Sequence, residues 1–357
     1  MATTQDDFLL QLLDACAQLA PTPLYPAKYA KEQNLDRERL DEGLDELRRR
    51  GLMELTEWVK DLGQGRALTD AGEKAQKTRR LERAVAPVTQ AAAEPMSVYE
   101  RGENVRRAIF DPAPAYVARL LLFANILYFC YGAFYAWRMD WIVQDYLQGE
   151  GRTTSLVLSD LGALNPRIMF SSVGPQLERI LLSAFLHIGV FHLFMNMLFL
   201  LILGRRIEGL WGSSRFLAIY FVSAVVSGCV VLLINRYQNV PLNESPQTAG
   251  ASGCMFGIFV AMIVWFSLNY EHLPDRLIES WSQATLFNVF LLVAINFWPG
   301  VSWQGHFGGA VGGLLAALLL HMQRFHPSRF VRWLALAGVV AVPVAFVVAV
   351  LWQAGRL

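Results

Sequence analysis

Gly250-Ala251-Ser252-Gly253-Cys254-Met255-Phe256-Gly257 opens an apolar run that continues to Leu268. A serine between two glycines at the mouth of an apolar helix has two readings. Glycines lack a Cβ, so a backbone or a neighbouring helix can come close to the hydroxyl, as a nucleophile requires. Alternatively, Gly253 and Gly257 are four apart, which is the spacing of helix-contact points in membranes. The rest of the chain decides between these readings.

The 357 residues are 54% hydrophobic and only 17% charged, with a mean hydropathy of +0.33. This excludes an ordinary soluble domain. Charged residues crowd the part before about residue 110, and long apolar runs follow. A soluble part and a membrane part are therefore expected. The net charge of +1 points to no acidic or basic partner. Cys16, Cys130, Cys229 and Cys254 are scattered, with no metal-ligand or disulfide spacing, so neither a metal nor a cofactor is expected. Met1 to Asp7 are polar and lack the layout of a signal peptide.

In the soluble part, helices are expected at 5–19, 26–33 and 36–50, from apolar spacing, the proline at 26 and the glycine at 51. A strand at 52–59, a Gly63-Gln64-Gly65 turn and a return strand at 66–69 follow, then a helix capped by Thr69. Three helices and a hairpin resemble a winged helix-turn-helix domain, here residues 1–80. The third helix sets Asp36, Glu38, Asp41, Glu42, Asp45 and Glu46 against Arg37, Arg39, Arg48, Arg49 and Arg50. Six acids against five bases make a poor footprint for phosphate. A protein partner or self-association is expected instead of nucleic acid. Residues 81–112 read as a basic linker punctuated by Pro87 and Pro95.

Seven apolar runs follow, near 115–136, 180–203, 215–234, 251–268, 284–299, 303–322 and 330–351. Each is about long enough for a bilayer core of roughly 30 Å. The basic linker places the N-terminal domain in the cytoplasm, and Arg205, Arg206, Arg215, Arg276, Arg324 and Arg329 then fall in cytoplasmic loops. The first outside loop, about 137–179, carries Trp137, Trp141 and Tyr146 and is expected to adjoin the membrane.

Polar residues inside the apolar runs carry the chemistry. His187 sits near the outer end of span two. His192 and Asn196, four apart, share one face of it. His306 opens span six, followed by the stripe Gly305, Gly309, Gly313. With alternating spans, Ser252, His306, His192 and Asn196 all fall in the outer half of the membrane. Each histidine alone is explained by helix bridging, and Asn196 alone by interhelical bonding. Together, at one depth, they suit acyl transfer. Ser252 would be the nucleophile and His306 its base, with no carboxylate in the pair. His192, Asn196 and the Ser252 amide would be donors to an oxyanion.

These motifs resemble the rhomboid family of intramembrane serine proteases over about residues 115–325. Gly250-Ala251-Ser252-Gly253 resembles the family's GxSG, His192 to Asn196 its HxxxN, and His306-Phe307-Gly308-Gly309 with Gly313 its HxxGxxxG. The resemblance implies a mainly α, polytopic helix bundle of six core spans plus a seventh C-terminal span, residues 113–357, behind the small α+β winged-helix-like domain. It also implies catalytic roles for Ser252 and His306 and oxyanion roles for His192 and Asn196. Gly250, Gly253, Phe256 and His187 would support the site, with Phe256 packed on the base. Gly309, Gly313, Glu208 and Arg179 would be structural, and Gly204, Arg206 and Glu208 would form a cytoplasmic turn after span two. Where the family often has Trp-Arg, this chain has Glu178-Arg179.

The expected protein is thus a serine endopeptidase in a bilayer, of a bacterial inner membrane, cutting single-span transmembrane substrates near the outer face. A non-catalytic relative would have lost Ser252 or His306, and both are present. A membrane-tethered regulator would rest on the winged-helix-like domain alone.

Overall fold

The computed structural model describes residues 4–59, 62–81, 104–105, 107–109, 112, 114–170, 175–238, 240, 246–270, 273 and 275–355. The chain divides into two compact units, Met1–Glu103 and Asn104–Leu357. The expected linker, 81–112, lies mostly outside the described residues.

The first unit contains α1 (Thr4–Leu19), α2 (Pro26–Glu32), α3 (Arg37–Arg49), β1 (Met53–Val59), β2 (Gly63–Leu68) and α4 (Asp70–Thr78). Its core is the set that the helical spacing picks out: Leu9, Leu12, Leu13 and Cys16 from α1, and Leu40, Leu44 and Leu47 from α3. Asp36 caps α3 by accepting from the Arg39 amide, and Thr69 caps α4 by accepting from the Gly72 amide. The hairpin pairs Met53 with Leu68 and Val59 with Gly63. Gly63 to Gly65, expected in the turn, are therefore part of β2. The strand reaches further because Gln64 and Gly63 pair with Trp58 and Val59 of β1; Leu24 exchanges both backbone hydrogen bonds with Arg66, at 2.8 and 2.9 Å, on the other side. On α3, Arg37 pairs with Asp41, Arg48 with Asp45, and Arg49 and Arg50 with Glu46. These bases face acids of their own helix, which weakens any phosphate-binding field.

The second unit is built from α5 (Tyr116–Arg138), the loop helices α6 (Val143–Gln148) and α7 (Gly151–Leu161), then α8 (Gly189–Trp211), α9 (Ser213–Tyr237), α10 (Ser252–Asn269), α11 (Asp275–Ala294), α12 (Trp303–Phe325) and α13 (Arg329–Ala354). Six of these, α5, α8, α9, α10, α12 and α13, are long and apolar enough to cross a membrane. The fifth expected run, 284–299, falls in α11 and the 3-10 turn after it, where the apolar stretch Trp281–Phe297 is shorter.

α9, α10 and α12 pack against one another at the centre of this unit. α5 shows how the periphery is made. Ala118, Leu121, Asn125, Phe129, Gly132 and Ala136 are buried, while Tyr116, Leu120, Phe123, Leu127, Tyr131 and Phe134 are exposed. Both sets recur every three or four residues, so one face meets protein and the other is as apolar as lipid requires. The N-terminus of α5 is held by Glu208, whose buried carboxylate accepts from the Val117 and Ala118 amides at 3.0 and 2.8 Å. A carboxylate at a helix N-terminus satisfies orphan donors and suits the dipole. Gly204, Arg206 and Glu208 do not form a turn after the span as expected. A π-helical stretch, Leu200–Gly204, carries α8 on to Trp211 without a break.

The contact between α10 and α12 is glycine on glycine. A Cβ at Gly309 would collide with the Gly253 carbonyl, and one at Gly313 with the Gly257 carbonyl. Gly308 and Gly312 lie less tightly against α9, where a Cβ would come to 3.0 Å of the Ser227 and Ser223 Cα atoms respectively. α12 is thus clamped between two helices by two adjacent glycine faces.

We expect Gly309→Ala to lower the melting temperature in detergent, since overpacking costs about 1–3 kcal/mol even where side chains can yield, and here the obstacle is backbone. Gly338→Ala, whose Cβ would meet only the Leu319 side chain, should cost less. Equal melting temperatures for both would refute the tight contact. The N-terminal unit should unfold cooperatively as an isolated fragment of residues 1–103, having its own core. Asp14 accepts hydrogen bonds from Gln76 (2.9 Å) and Arg79 (2.5 Å), which hold its carboxyl below the ordinary range. That stabilisation is present above the unfolded value near ~3.9 and is lost as pH falls through the lower folded value. Asp14→Asn should flatten the acid side of the fragment's stability curve; an unchanged curve would contradict this.

Candidate active site

Ser252 is the first residue of α10. The chain reaches it through Gly250, at φ +137°, where a side chain would be strained. The Gly250 amide donates to the Ser183 carbonyl at 2.9 Å, and Ala251 is fully buried, so the approach is fixed. A Cβ at Gly250 would lie 2.7 Å from the His192 ring. Glycine is needed there twice over, for conformation and for space.

His306 lies in the first turn of α12 and is 5% exposed. Ser302 starts that turn by accepting from the Gly305 amide. The Ser227 hydroxyl on α9 donates to the Gly305 carbonyl at 2.8 Å and pins the same turn sideways. The His306 ring stacks on Phe256, one turn along α10 from Ser252, with centroids 4.1 Å apart and planes 13° from parallel. Its Nε2 is 2.8 Å from the Ser252 Oγ. Its Nδ1 is 2.8 Å from the Asn296 Oδ1. Both members of the expected pair thus begin their helices at one place, because the glycine contact sets α10 and α12 side by side in parallel.

His192 lies on α8. Its Nδ1 accepts from the Ile188 amide at 3.3 Å, so the ring proton is on Nε2. That Nε2–H lies beside Gly250: it is 2.9 Å from the point a Gly250 Cβ would occupy, and that point is 3.7 Å from the Ser252 Oγ. Asn196, a turn further on, donates one amide proton to the His192 carbonyl at 2.9 Å and keeps a second. Ser252 adds its own amide, which opens a helix and has no intrahelical acceptor by position.

His187 is fully buried with its ring 5.3 Å from that of His192, but it is not on the helix as expected. The run 180–188 breaks into Glu178–Leu182, a 3-10 turn at Ser183–Phe185 and an extended Leu186. α8 starts only at Gly189, at φ +77°. A Cβ there would fall on the Gln148 carbonyl and the Gly149 amide. The backbone of the first loop passes too close for a continuous helix.

That loop is folded against the bundle. Tyr146 on α6 is fully buried and stacks on Phe129 of α5 at 4.9 Å. Arg179, buried, donates to the Ser159 and Ala163 carbonyls at the end of α7, at 2.6 and 3.2 Å, and to the Gln176 side chain. Glu178 beside it is exposed. Leu164 and Thr248 exchange both backbone hydrogen bonds at 2.9 Å, which ties the loop to the segment leading into Gly250.

Of the residues singled out in the sequence, Ser252, His306, His192, Gly250 and Phe256 meet in one place, with His187 and Asn196 adjoining. Gly253, Gly309 and Gly313 lie in the helix contact beneath. Arg179 serves the loop, and Glu208 the far end of α8. Asn296, Ser223 and Ser227 were not singled out. The spacing of four between Ser223 and Ser227, opposite two glycine stripes, and a lone asparagine in the apolar run before His306 were the available signals.

Comparison with known proteins accords with this arrangement. The family model described as the Rhomboid domain matches residues 174–323. Rhomboid-like protease 3 of Toxoplasma gondii is 30% identical over 139 residues, covering 39% of this chain and 50% of that protein. Rhomboid protease GluP of Bacillus subtilis is 31% identical over 149 residues, covering 41% and 26%. RHOMBOID-like protein 4 of Arabidopsis thaliana is 30% identical over 171 residues, covering 47% and 39%. The chain spans half or less of the length of these relatives, which are bacterial and eukaryotic alike. Six apolar spans, a serine opening α10 and a histidine in the first turn of α12 come together with that match: residues 174–323 fit the Rhomboid domain model, and this stretch is similar to rhomboid proteases.

Proposed function

We propose that the protein is an intramembrane serine endopeptidase that cleaves transmembrane segments of substrate proteins. The observation that carries this is the 2.8 Å contact between the Ser252 hydroxyl and the His306 Nε2, buried beside helix-terminal amides. The Ser252 hydroxyl donates to Nε2. As Oγ bonds to the scissile carbonyl carbon, its proton passes to His306, and the carbonyl electrons move onto oxygen. That oxyanion would lie near Gly250, beside the His192 Nε2–H, with the Asn196 amide on the same helix and the Ser252 N–H as further donors. His306 then gives its proton to the leaving amine. Water, deprotonated by the same histidine, releases the acyl group from Ser252.

The substrate class follows from where the site lies. It opens at the ends of helices inside an apolar bundle, so an extended stretch of a membrane-embedded chain reaches it most directly. A helix rich in Gly or Ala unwinds most readily. We further propose that the N-terminal unit faces the cytoplasm, on the strength of the basic residues before the first span, and that the site opens on the opposite side. That unit would engage a protein partner or a second copy of itself.

Ser252→Ala should abolish cleavage of a single-span reporter, and His306→Ala should do so nearly as fully. The double variant should be no worse than either, since the two act as one unit. His192→Ala should be milder, because one oxyanion donor is worth on the order of 10²–10³ in kcat and two others remain. All should keep near-native melting temperatures. Appreciable turnover by Ser252→Ala would sink the mechanism. Equal loss from all, with collapsed melting temperatures, would favour purely structural roles.

A further inference from the structure

A histidine that is to take a proton on Nε2 must carry its own proton on Nδ1, and in serine hydrolases a third group often fixes this. The sequence led us to expect a pair working without one. The structure places a neutral third group there. Asn296 lies in the 3-10 turn Ile295–Phe297 that ends α11, and its Oδ1 is 2.8 Å from the His306 Nδ1. The amide orientation is set independently: Nδ2 donates to the Leu292 carbonyl at 2.6 Å, one turn back on α11. With the nitrogen thus engaged, the atom facing His306 is the oxygen, which only accepts. The imidazole proton is therefore on Nδ1, and Nε2 is left as the acceptor for the Ser252 hydroxyl.

We propose that Asn296 is the positioning residue of the proteolytic site, holding His306 in the tautomer and ring orientation in which it serves as base for Ser252. The inference rests on the proteolytic reading above for its consequence, but not for its geometry. Three contacts then define the ring: Phe256 against its face, Ser252 at Nε2 and Asn296 at Nδ1. The neutral amide suits the setting. An aspartate there would accept the same Nδ1 proton, its charge offset by the imidazolium that forms as His306 takes the serine proton, whereas asparagine orients the ring with no charge in the resting site. Asn296 also joins the base to α11, an element other than the two that carry Ser252 and His306.

The test compares Asn296→Leu, which removes the acceptor at similar volume, with Asn296→Asp, which keeps an acceptor in the same place. Both are made in the full-length protein. Four quantities are read: kcat and KM for a single-span reporter, the rate of fluorophosphonate labelling of Ser252, the melting temperature, and the ¹⁵N shifts of His306, which report its tautomer without turnover. For the leucine variant we expect kcat and labelling rate to fall about 10- to 100-fold, less than the roughly 10²–10⁴-fold of a whole general base because His306 itself remains, with KM within about twofold. The His306 shifts should lose the pure Nδ1–H signature. The aspartate variant should recover most of the labelling rate. If the leucine variant does not fold, Asn296→Ala removes the acceptor without bulk and is read in the same way. Wild-type rates and tautomer in the leucine or alanine variant would overturn the proposal, as would an aspartate variant as slow as leucine. A wild-type protein that neither cleaves nor labels would defeat the proteolytic reading by itself; the tautomer shifts would still decide the role of Asn296.

Discussion

The approach of α10 to α12 is the constraint on which the site depends. Ser252 and His306 are 54 positions apart in the chain, and each is only the opening residue or turn of its helix. What brings their side chains to hydrogen-bond distance is the absence of four side chains below them, at Gly253, Gly257, Gly309 and Gly313. Lipid supplies no hydrophobic drive to bring helices together, so packing of this kind must do it. The same pairing that gives the bundle its centre also fixes the geometry of the candidate nucleophile and base.

The surrounding parts answer a second requirement, that polar groups at membrane depth be satisfied. Ser227 closes the Gly305 carbonyl, Asn196 the His192 carbonyl, Glu208 the first amides of α5, and Arg179 the end of α7. Glu208, Arg179 and Ser227 thus complete the ends of helices. The first loop is drawn into this scheme, since its backbone passes close enough at Gly149 and Gly189 to determine where α8 begins.

Much of this was legible in the sequence. The apolar runs, the four-residue spacing of His192 and Asn196, and the glycine stripe after His306 gave the bundle and the serine–histidine pair, while the stacking of Phe256 was implied by the rhomboid resemblance. Three things were not legible. The late start of α8 depends on the loop backbone pressing on Gly189, a long-range contact with no periodic signature. The continuation of α8 through a π-helical stretch to Glu208 reads as a turn, because charges follow an apolar run there. Asn296 sits in an apolar run with no motif around it, and only its distance from His306 gives it meaning. In the N-terminal unit, the leucine spacing gave the core, while the length of β2 depended on the pairing of Gly63 and Gln64 with the end of β1.

The central claim is that burial, helix ends and a histidine together activate Ser252. Labelling the purified full-length protein with a fluorophosphonate, followed by mass spectrometry of the peptides, measures this directly. The account predicts a single adduct on Ser252 that is lost in His306→Ala. A folded wild-type protein that acquires no adduct at Ser252, or a His306→Ala variant that labels as fast as wild type, would contradict it.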